Sequence, residues 1–329
     1  MAKVSRRVLI KQAITLAGAT AASSVLVRAG SEPQYETRST ARTPYVPVRV
    51  LDTEHMPVGD RRVLFENKQT KGSFFITYSF PPGPTGGFRH YHQWHEWGYL
   101  LCGDSALDEY TDADQRIAPL IDYREGHFLD RPPYCIHAAT RTRFYHNVAS
   151  SWVFMEEGSN EGSFTPDPSV PPGYFAKYNP EHKQGRQWAA PQTIDTIAMI
   201  WEPEASAPGA MVKRLVNDPS RGFRVVLRMV EPGWNSARSP QFTRPYHYKQ
   251  GYQFNLVLSG DLKIQTYRAP GEKAEQIKLE KYYYVERAPM SIFGLADGVV
   301  SERGCIWIEG TYGKGATISS TPIEEPTFV

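Results

Sequence analysis

The 329-residue sequence is poor in cysteine and in net charge, and its first half lacks helical periodicity. Its three cysteines, Cys102, Cys135 and Cys305, are odd in number and irregularly spaced. They therefore give no disulfide framework, and we expect buried free thiols. The formal charge of +2 gives no reason to expect a nucleic-acid or anionic-membrane partner. From Ser73 to Glu156 no useful helical period occurs, which argues against a helical domain there.

The composition favours a turn-rich β protein instead. Hydrophobic residues make up 40% of the chain, which contains 26 glycines and 26 prolines. Residues 73–80 form a run of β-formers, and a Pro/Gly loop follows at residues 81–87. Short strands separated by such turns are typical of jelly rolls, and the length suggests about two domains. We therefore predict an all-β fold.

The N-terminus differs in charge from the rest of the chain. Residues 1–29 contain no acid and five basic residues, so the remainder carries a net charge of −3. An uncharged, small-residue and apolar run at residues 13–27 has signal-peptide length and is short for a membrane span. Arg6 and Arg7 precede this run, and the segment resembles a twin-arginine export signal. Residues 27–29 would then be the cleavage site, and the alternatives are an N-terminal helix or a retained anchor.

Export predicts a periplasmic or secreted protein that has no membrane contact after signal removal. The same prediction requires that a variant with lysine in place of both Arg6 and Arg7 stays in the cytoplasm. Unimpeded secretion of that variant would argue against the twin-arginine route.

A cluster of metal-ligand side chains stands in the first half. Residues two apart on a strand face the same side, so His90, His92 and Glu96 would share one face of one strand. A fourth candidate, His137, ends the stretch 126–137, in which Gly126 and a proline would shape a hairpin. Two imidazoles and a carboxylate on one face, with a third imidazole from a neighbouring strand, predict a metal site.

The spacing of these residues resembles the two motifs of the cupin superfamily. Residues 90–103 have the pattern H-x-H-x3-E-x6-G, and residues 126–137 match the second motif at Gly126, Pro132 and His137. The chain departs from the motifs at Pro84, Tyr134 and Arg141, where the family pattern has glycine, glycine and asparagine. The resemblance implies a jelly-roll barrel, or double-stranded β-helix, with four metal ligands: His90, His92, Glu96 and His137.

The resemblance also implies one divalent transition metal. Three imidazoles and a carboxylate lie close to the two-histidine, one-carboxylate pattern of non-haem iron sites, so iron or manganese is favoured, and Ni, Cu, Co and Zn stay open. Glu96 could double as a catalytic base. Trp94 and Tyr134 are candidates for a substrate pocket, although Trp94 could equally fill the core. His95 is expected to point away from the ligand face.

The second half contains a degenerate repeat of the first half, at a constant offset of 157 residues. The pairs are His90 with His247, His92 with Lys249, Glu96 with Gln253, Gly103 with Gly260, Pro132 with Pro289, and His137 with Gly294. The barrel framework is thus repeated while most ligands are lost, as in a bicupin with one metal site. The second barrel either supports dimerisation or the first barrel, or it forms an anion-binding pocket around Lys249.

These patterns divide the chain into four parts. We predict a signal peptide at residues 1–29, a metal-binding cupin barrel at 44–158, a Pro-rich inter-barrel segment at 159–195, and a degenerate cupin barrel without a metal site at 196–325. The proline-rich segment is too aromatic for a free linker, and we expect it to pack across one barrel.

The predicted function is an exported, metal-dependent non-haem dioxygenase acting on a small organic substrate, phenolic or diketone-like. One metal site in the N-terminal barrel is similar to the layout of fungal quercetin dioxygenases. One alternative is a metal-dependent decarboxylase or lyase resembling oxalate decarboxylase. Another is a non-catalytic cupin that binds a small ligand. Pairing of edge strands between subunits would give a homodimer.

Overall fold

A computed structural model describes part of the chain. The described residues are 42–43, 45–54, 56, 61–66, 71–79, 87–90, 92, 95–110, 118–132, 135–143, 150–158, 190–205, 207–218, 223–238, 247–249, 251–312, 320–322 and 327–328. The predicted signal peptide, Trp94 and Tyr134 lie outside them. Within these residues no helix has the length and apolar character required to cross a membrane.

The first twelve strands precede residue 196. They are β1 (Arg42–Thr43), β2 (Val48–Asp52), β3 (Arg61–Glu66), β4 (Lys71–Ser79), β5 (Gly87–His90), β6 (Glu96–Cys102), β7 (Asp104–Glu109), β8 (Leu120–Arg124), β9 (His127–Arg131), β10 (His137–Arg143), β11 (Ser150–Gly158) and β12 (Gln192–Asp195).

The remaining strands follow, with one short 3-10 helix at Ser236–Arg238. They are β13 (Glu202–Pro203), β14 (Ala210–Asp218), β15 (Phe223–Val230), β16 (Trp234–Asn235), β17 (His247–Lys249), β18 (Tyr252–Thr266), β19 (Glu275–Glu280), β20 (Tyr283–Arg287), β21 (Phe293–Leu295), β22 (Val299–Ser301), β23 (Cys305–Tyr312), β24 (Ser320–Pro322) and β25 (Thr327–Phe328).

Two antiparallel sheets form the first barrel. One has the strand order β5-β10-β7-β8, and the other has the order β12-β9-β6-β11-β4-β3. Strand β11 is buried on both faces, because Trp152 joins one apolar cluster while Val153 and Met155 join another. A strand covered on both sides has a continuous apolar run instead of polar alternation. The predicted all-β, two-barrel jelly-roll fold is confirmed.

The second barrel is organised around the long strand β18. Its first half pairs with β20 and β23, and its second half pairs with β19 and β21. The strand bends at Gly260, whose φ is +80°, and a Cβ there would lie 1.7 Å from the carbonyl oxygen of Gly304. Only glycine fits this position, because it has no side chain and tolerates positive φ.

Aromatic side chains join the two barrels. The ring of Phe74 in β4 lies 4.5 Å from that of Phe254 and 5.3 Å from that of Tyr284, both in the second barrel. Trp97 in β6 also stacks on Phe254. These side chains belong to one buried apolar cluster that spans both barrels. Full burial of each such side chain stabilises the fold by about 1.5–3 kcal/mol, so these contacts help to hold the two barrels together.

Two strands pair across the predicted domain boundaries. Residues 48–52 fell within the predicted first barrel, but β2 pairs with β20 of the second, and Val48 and Val50 pack into that barrel's apolar cluster. Residues 192–195 fell within the predicted inter-barrel segment, but β12 pairs with β9 of the first barrel. Each exchanged strand covers a sheet edge that would otherwise expose unpaired backbone groups. Residues 159–189 lie outside the described residues.

Candidate metal centre

Three of the four predicted ligands meet in space. His92, Glu96 and His137 each offer a ligand atom, and these atoms all lie within 4.8 Å of one another. All three side chains are buried. Glu96 opens β6 and His137 opens β10, whereas His92 and His95 lie outside strands. The prediction of one continuous ligand strand was therefore wrong, and the ligands come from strand ends and the connection between them.

The distances suit a single ion. Nε2 of His92 lies 3.1 Å from Oε2 of Glu96, and Nε2 of His137 lies 3.9 Å from the same oxygen. Nitrogen and oxygen ligands bind a first-row divalent ion at about 2.1 Å, so two donors on one ion are about 3–4 Å apart. The imidazole rings of the two histidines have their centroids 5.1 Å apart, and Nε2 of each ring lies on the side of the carboxylate.

A backbone carbonyl orients His137. Its Nδ1 lies 3.1 Å from the carbonyl oxygen of Cys135, and a carbonyl can only accept a hydrogen bond. Nδ1 therefore carries a proton, and Nε2 is the nitrogen on the side of Glu96. Metal-bound histidines commonly use this arrangement, because the second nitrogen fixes the tautomer and the ring plane.

The other predicted site residues either lie outside the described part of the chain or point away from the three ligands. His90 ends β5, and its backbone pairs with His137, while its side chain lies outside the described part. Trp94 and Tyr134 also lie outside it. His95 faces away from the metal centre: its Nε2 contacts Oδ1 of Asp130, and its ring lies 4.6 Å from Phe223 of the second barrel.

Arg131 is the main electrostatic partner of the site, and it was missed from the sequence. Strand pairing sets it opposite Glu96, and its guanidinium contacts Oε1 of Glu96 and both carboxylate oxygens of Glu109. Burial disfavours the charged form of Glu96. The guanidinium and the two imidazoles outweigh burial and hold the pKa of Glu96 well below its usual value. Glu96 is therefore a carboxylate with one oxygen on Arg131 and the other in the site.

A chain of hydrogen bonds extends from Arg131 to the exchanged strand β12. Thr193 of β12 donates to the phenol oxygen of Tyr123 at 3.1 Å, and Tyr123 donates to Oε1 of Glu109 at 3.3 Å. For Glu109, burial outweighs the guanidinium and raises the pKa of the carboxyl group. The two carboxylates on Arg131 thus differ: Glu96 is held ionised, and Glu109 takes a proton more readily.

One signal in the sequence could have revealed Arg131. It lies in the second motif stretch and stands two residues after Leu129, so strand alternation sends both toward the barrel interior. A charged residue on an interior face requires a partner of opposite charge. The acidic partner Glu109 comes from a different strand, so sequence spacing alone could not identify it.

The second barrel replaces this centre with a different set of side chains. Gln253 pairs with Arg287 as Glu96 pairs with Arg131. Phe293 pairs with Thr266 as His137 pairs with Glu109. The predicted matches of Pro132 with Pro289 and of His137 with Gly294 were therefore wrong by one residue.

The one-residue shift between the barrels arises in the connection that follows β7 in the first barrel and the equivalent part of β18 in the second. Glu109 donates its backbone N–H to Pro119, and the equivalent Thr266 pairs with Glu275. The connection in the second barrel is one residue shorter, so the offset falls from 157 to 156 beyond it.

The chain matches no family model and no curated protein sequence. Among solved structures, salicylate 1,2-dioxygenase from Pseudoaminobacter salicylatoxidans, in adducts with gentisate, has 14% identity and a TM-score of 0.50, over 95% of this chain and 92% of that one. This likeness shows a shared fold. The chain has the cupin fold. Oxalate decarboxylase from Lactobacillus farciminis has 10% identity and a TM-score of 0.47, over 84% of this chain and 83% of that one. The protein Ylba from E. coli has 9% identity and a TM-score of 0.48, over 85% and 96%.

Proposed function

We propose that the protein is a metal-dependent cupin enzyme that binds one divalent transition metal in its first barrel. The convergence of His92, Glu96 and His137 supports this proposal most strongly. His90 is the proposed fourth ligand, because its backbone pairs with His137 at the same sheet position. Iron or manganese is the proposed metal, since two imidazoles and one carboxylate form the donor set of non-haem iron sites.

The donor set fits such an ion. Three buried donors, two neutral and one anionic, leave coordination positions for a substrate oxygen and for O2. When bound, the metal would polarise or activate these ligands. The chain's own residues prepare the site: the carbonyl of Cys135 orients His137, and Arg131 keeps Glu96 ionised. A carboxylate of such low pKa is a weak general base, so Glu96 suits the role of metal ligand better than that of catalytic base.

The proposed reaction is oxygenation of a small organic substrate, phenolic or diketone-like. The relative that shares the fold is named for salicylate and was solved with gentisate. These two compounds therefore enter a test panel, together with other phenols and 1,3-diketones.

Oxygen uptake tests the proposal. Metal-loaded protein is mixed with each substrate in an oxygen electrode, and substrate loss is followed by chromatography. We expect about one O2 consumed per substrate, and a loss of at least about 100-fold in His92→Ala and His137→Ala. His127→Ala is the matched control, since His127 lies outside the site and faces Asp195 at 3.9 Å.

Two other outcomes would contradict oxygenation. Substrate loss without O2 uptake would indicate a decarboxylase or lyase. Ligand binding that is equally tight in metal-free protein, with no turnover, would indicate a binding cup.

A further inference from the structure

The interior of the second barrel contains a row of polar side chains at the level where the first barrel has Arg131 and Glu96. Four adjacent strands set Arg287, Gln253, Thr311 and Arg224 side by side in register. Residues at one level of neighbouring antiparallel strands point to the same face. Gln253, Arg287 and Thr311 are each at most 4% exposed, so this row lies in the interior and not in solvent.

Arg287 has lost both of the acidic partners that its counterpart Arg131 keeps. Gln253 stands in place of Glu96, and Nη1 of Arg287 donates to its Oε1 at 3.0 Å. Thr266 stands in place of Glu109, and its hydroxyl donates to the carbonyl of Ile292 instead. The guanidinium also lies over the ring of Phe293, 3.5 Å from the centroid. Neutral groups therefore replace both carboxylates.

The nearby acids are bonded to other arginines. Glu309 contacts Arg224 at 3.0 Å and Arg228 at 3.3 Å, and Arg228 also contacts Glu204 at 2.7 Å. Among the described side chains, Arg287 therefore forms no ion pair of its own. Burial lowers the pKa of Arg287 to about 9, despite an opposing effect of Glu309. A buried cation without a counter-ion is strongly unfavourable.

Three buried polar atoms on these strands have no hydrogen-bond partner among the described residues. They are Nε of Arg287, Oγ1 of Thr311 and Oδ1 of Asn255. Asn255 lies two residues beyond Gln253 on β18 and faces the same interior. Nearly all buried polar groups are satisfied in native proteins, so these three atoms are available to a bound water molecule or a small ligand.

We propose that the second barrel binds a small carboxylate between Arg287, Thr311 and Asn255. Nε–H of Arg287 and the Thr311 hydroxyl donate to the carboxylate oxygens, and the anion neutralises the unmatched guanidinium. The Asn255 amide completes the site, because its oxygen and nitrogen can exchange places by rotation. Val257, Val285 and Trp307 belong to the apolar cluster of the same barrel, and the proposed ligand is a compact acid of a few heavy atoms.

The same side chains are unsuited to a metal ion. Phe293 occupies the position of His137 and offers no ligand atom, and the cation Arg287 would repel a divalent ion. The two barrels thus differ in the charge of the ligand that they bind, and the carboxylate site is independent of the metal centre.

Thermal stability and calorimetry test the carboxylate site with the full-length protein. Acetate and formate are the probes, and chloride at equal ionic strength is the reference. We expect acetate or formate to raise Tm and to bind with a stoichiometry of one. Thr311→Val removes one donor without changing the shape, and its affinity should fall by about tenfold or more. Thr266→Val is the matched control, because that hydroxyl is already bonded to Ile292, and its acetate affinity should stay unchanged.

Arg287→Met provides a second test and should abolish the acetate effect. Equal Tm shifts with acetate, formate and chloride would overturn the proposal. Equal losses of affinity in Thr311→Val and Thr266→Val would also overturn it. His92→Ala separates the two sites: it should lose metal and keep acetate binding. Loss of acetate binding in that variant would place the anion at the metal centre and contradict the proposal.

Discussion

The two barrels place an arginine at the same position and surround it differently. In the first barrel Arg131 contacts Glu96 and Glu109, and Glu96 also faces two imidazoles. In the second barrel Arg287 contacts only the neutral Gln253 and the ring of Phe293 among the described side chains. On the two proposals above, the arginine does not determine what each barrel binds. The charge of its neighbours would do so, because carboxylates attract a metal cation and neutral neighbours leave the guanidinium available to an anion.

Removing each arginine gives the largest expected contrast. Arg131→Met leaves two buried carboxylates without a counter-ion and should reduce the free energy of unfolding by about 3–5 kcal/mol. Arg287→Met removes an unmatched charge, so without added carboxylate its free energy of unfolding should stay level or rise slightly. Urea unfolding of both variants measures the difference. Equal destabilisation would contradict the assignment of Arg287 as unmatched.

Restoring the lost acid should make the second barrel resemble the first. Gln253→Glu gives Arg287 a carboxylate partner and should stabilise the protein by about 1–2 kcal/mol in carboxylate-free buffer. Acetate should then give no further rise in Tm, and metal content should stay unchanged, because Phe293 still occupies the position of His137. A destabilised variant that still responds to acetate would refute this explanation.

A buried lysine gives an effect that depends on pH. Nζ of Lys213 donates to the carbonyl of Thr196 at 2.6 Å and lies over the Trp201 ring, and burial lowers its pKa to about 8. Between about pH 8 and the usual lysine pKa near 10.4, the unfolded chain binds more protons, so stability rises with pH.

Thermal unfolding from pH 7 to 10 should therefore show a rise that Lys213→Met lacks. Each unit of pKa shift corresponds to about 1.4 kcal/mol, so the rise should be at most about 2.5 kcal/mol in total. A parallel pH profile in the variant would mean that another group is responsible.

Much of the fold was predictable from local patterns. Short runs of β-formers between Gly/Pro turns predicted the all-β barrels, and the 157-residue offset predicted their repetition. The exchange of β2 and β12 between barrels was not predictable, because alternation shows which face of a strand is buried and not which sheet it joins. The one-residue slip that puts Phe293 in place of Gly294 lies in a connection, where lengths vary without changing the strand pattern.

The metal centre was predictable to the extent that its residues lie close in sequence. His92 and Glu96 are four residues apart, and His137 follows in a recognisable second motif. The contacts of Arg131 depend on strand register across three strands, which sequence spacing does not give. The unmatched charge of Arg287 follows only from the positions of Glu309 and its two arginines.

Elemental analysis tests the central claim, that only the first barrel holds a metal. Wild type, His92→Ala, His137→Ala and His247→Ala are purified in parallel without added metal, and metal per chain is measured by mass spectrometry. We predict about one iron or manganese per chain in wild type and in His247→Ala, and almost none in the other two variants. Equal loss of metal from His247→Ala, or two metals per chain in wild type, would contradict the claim.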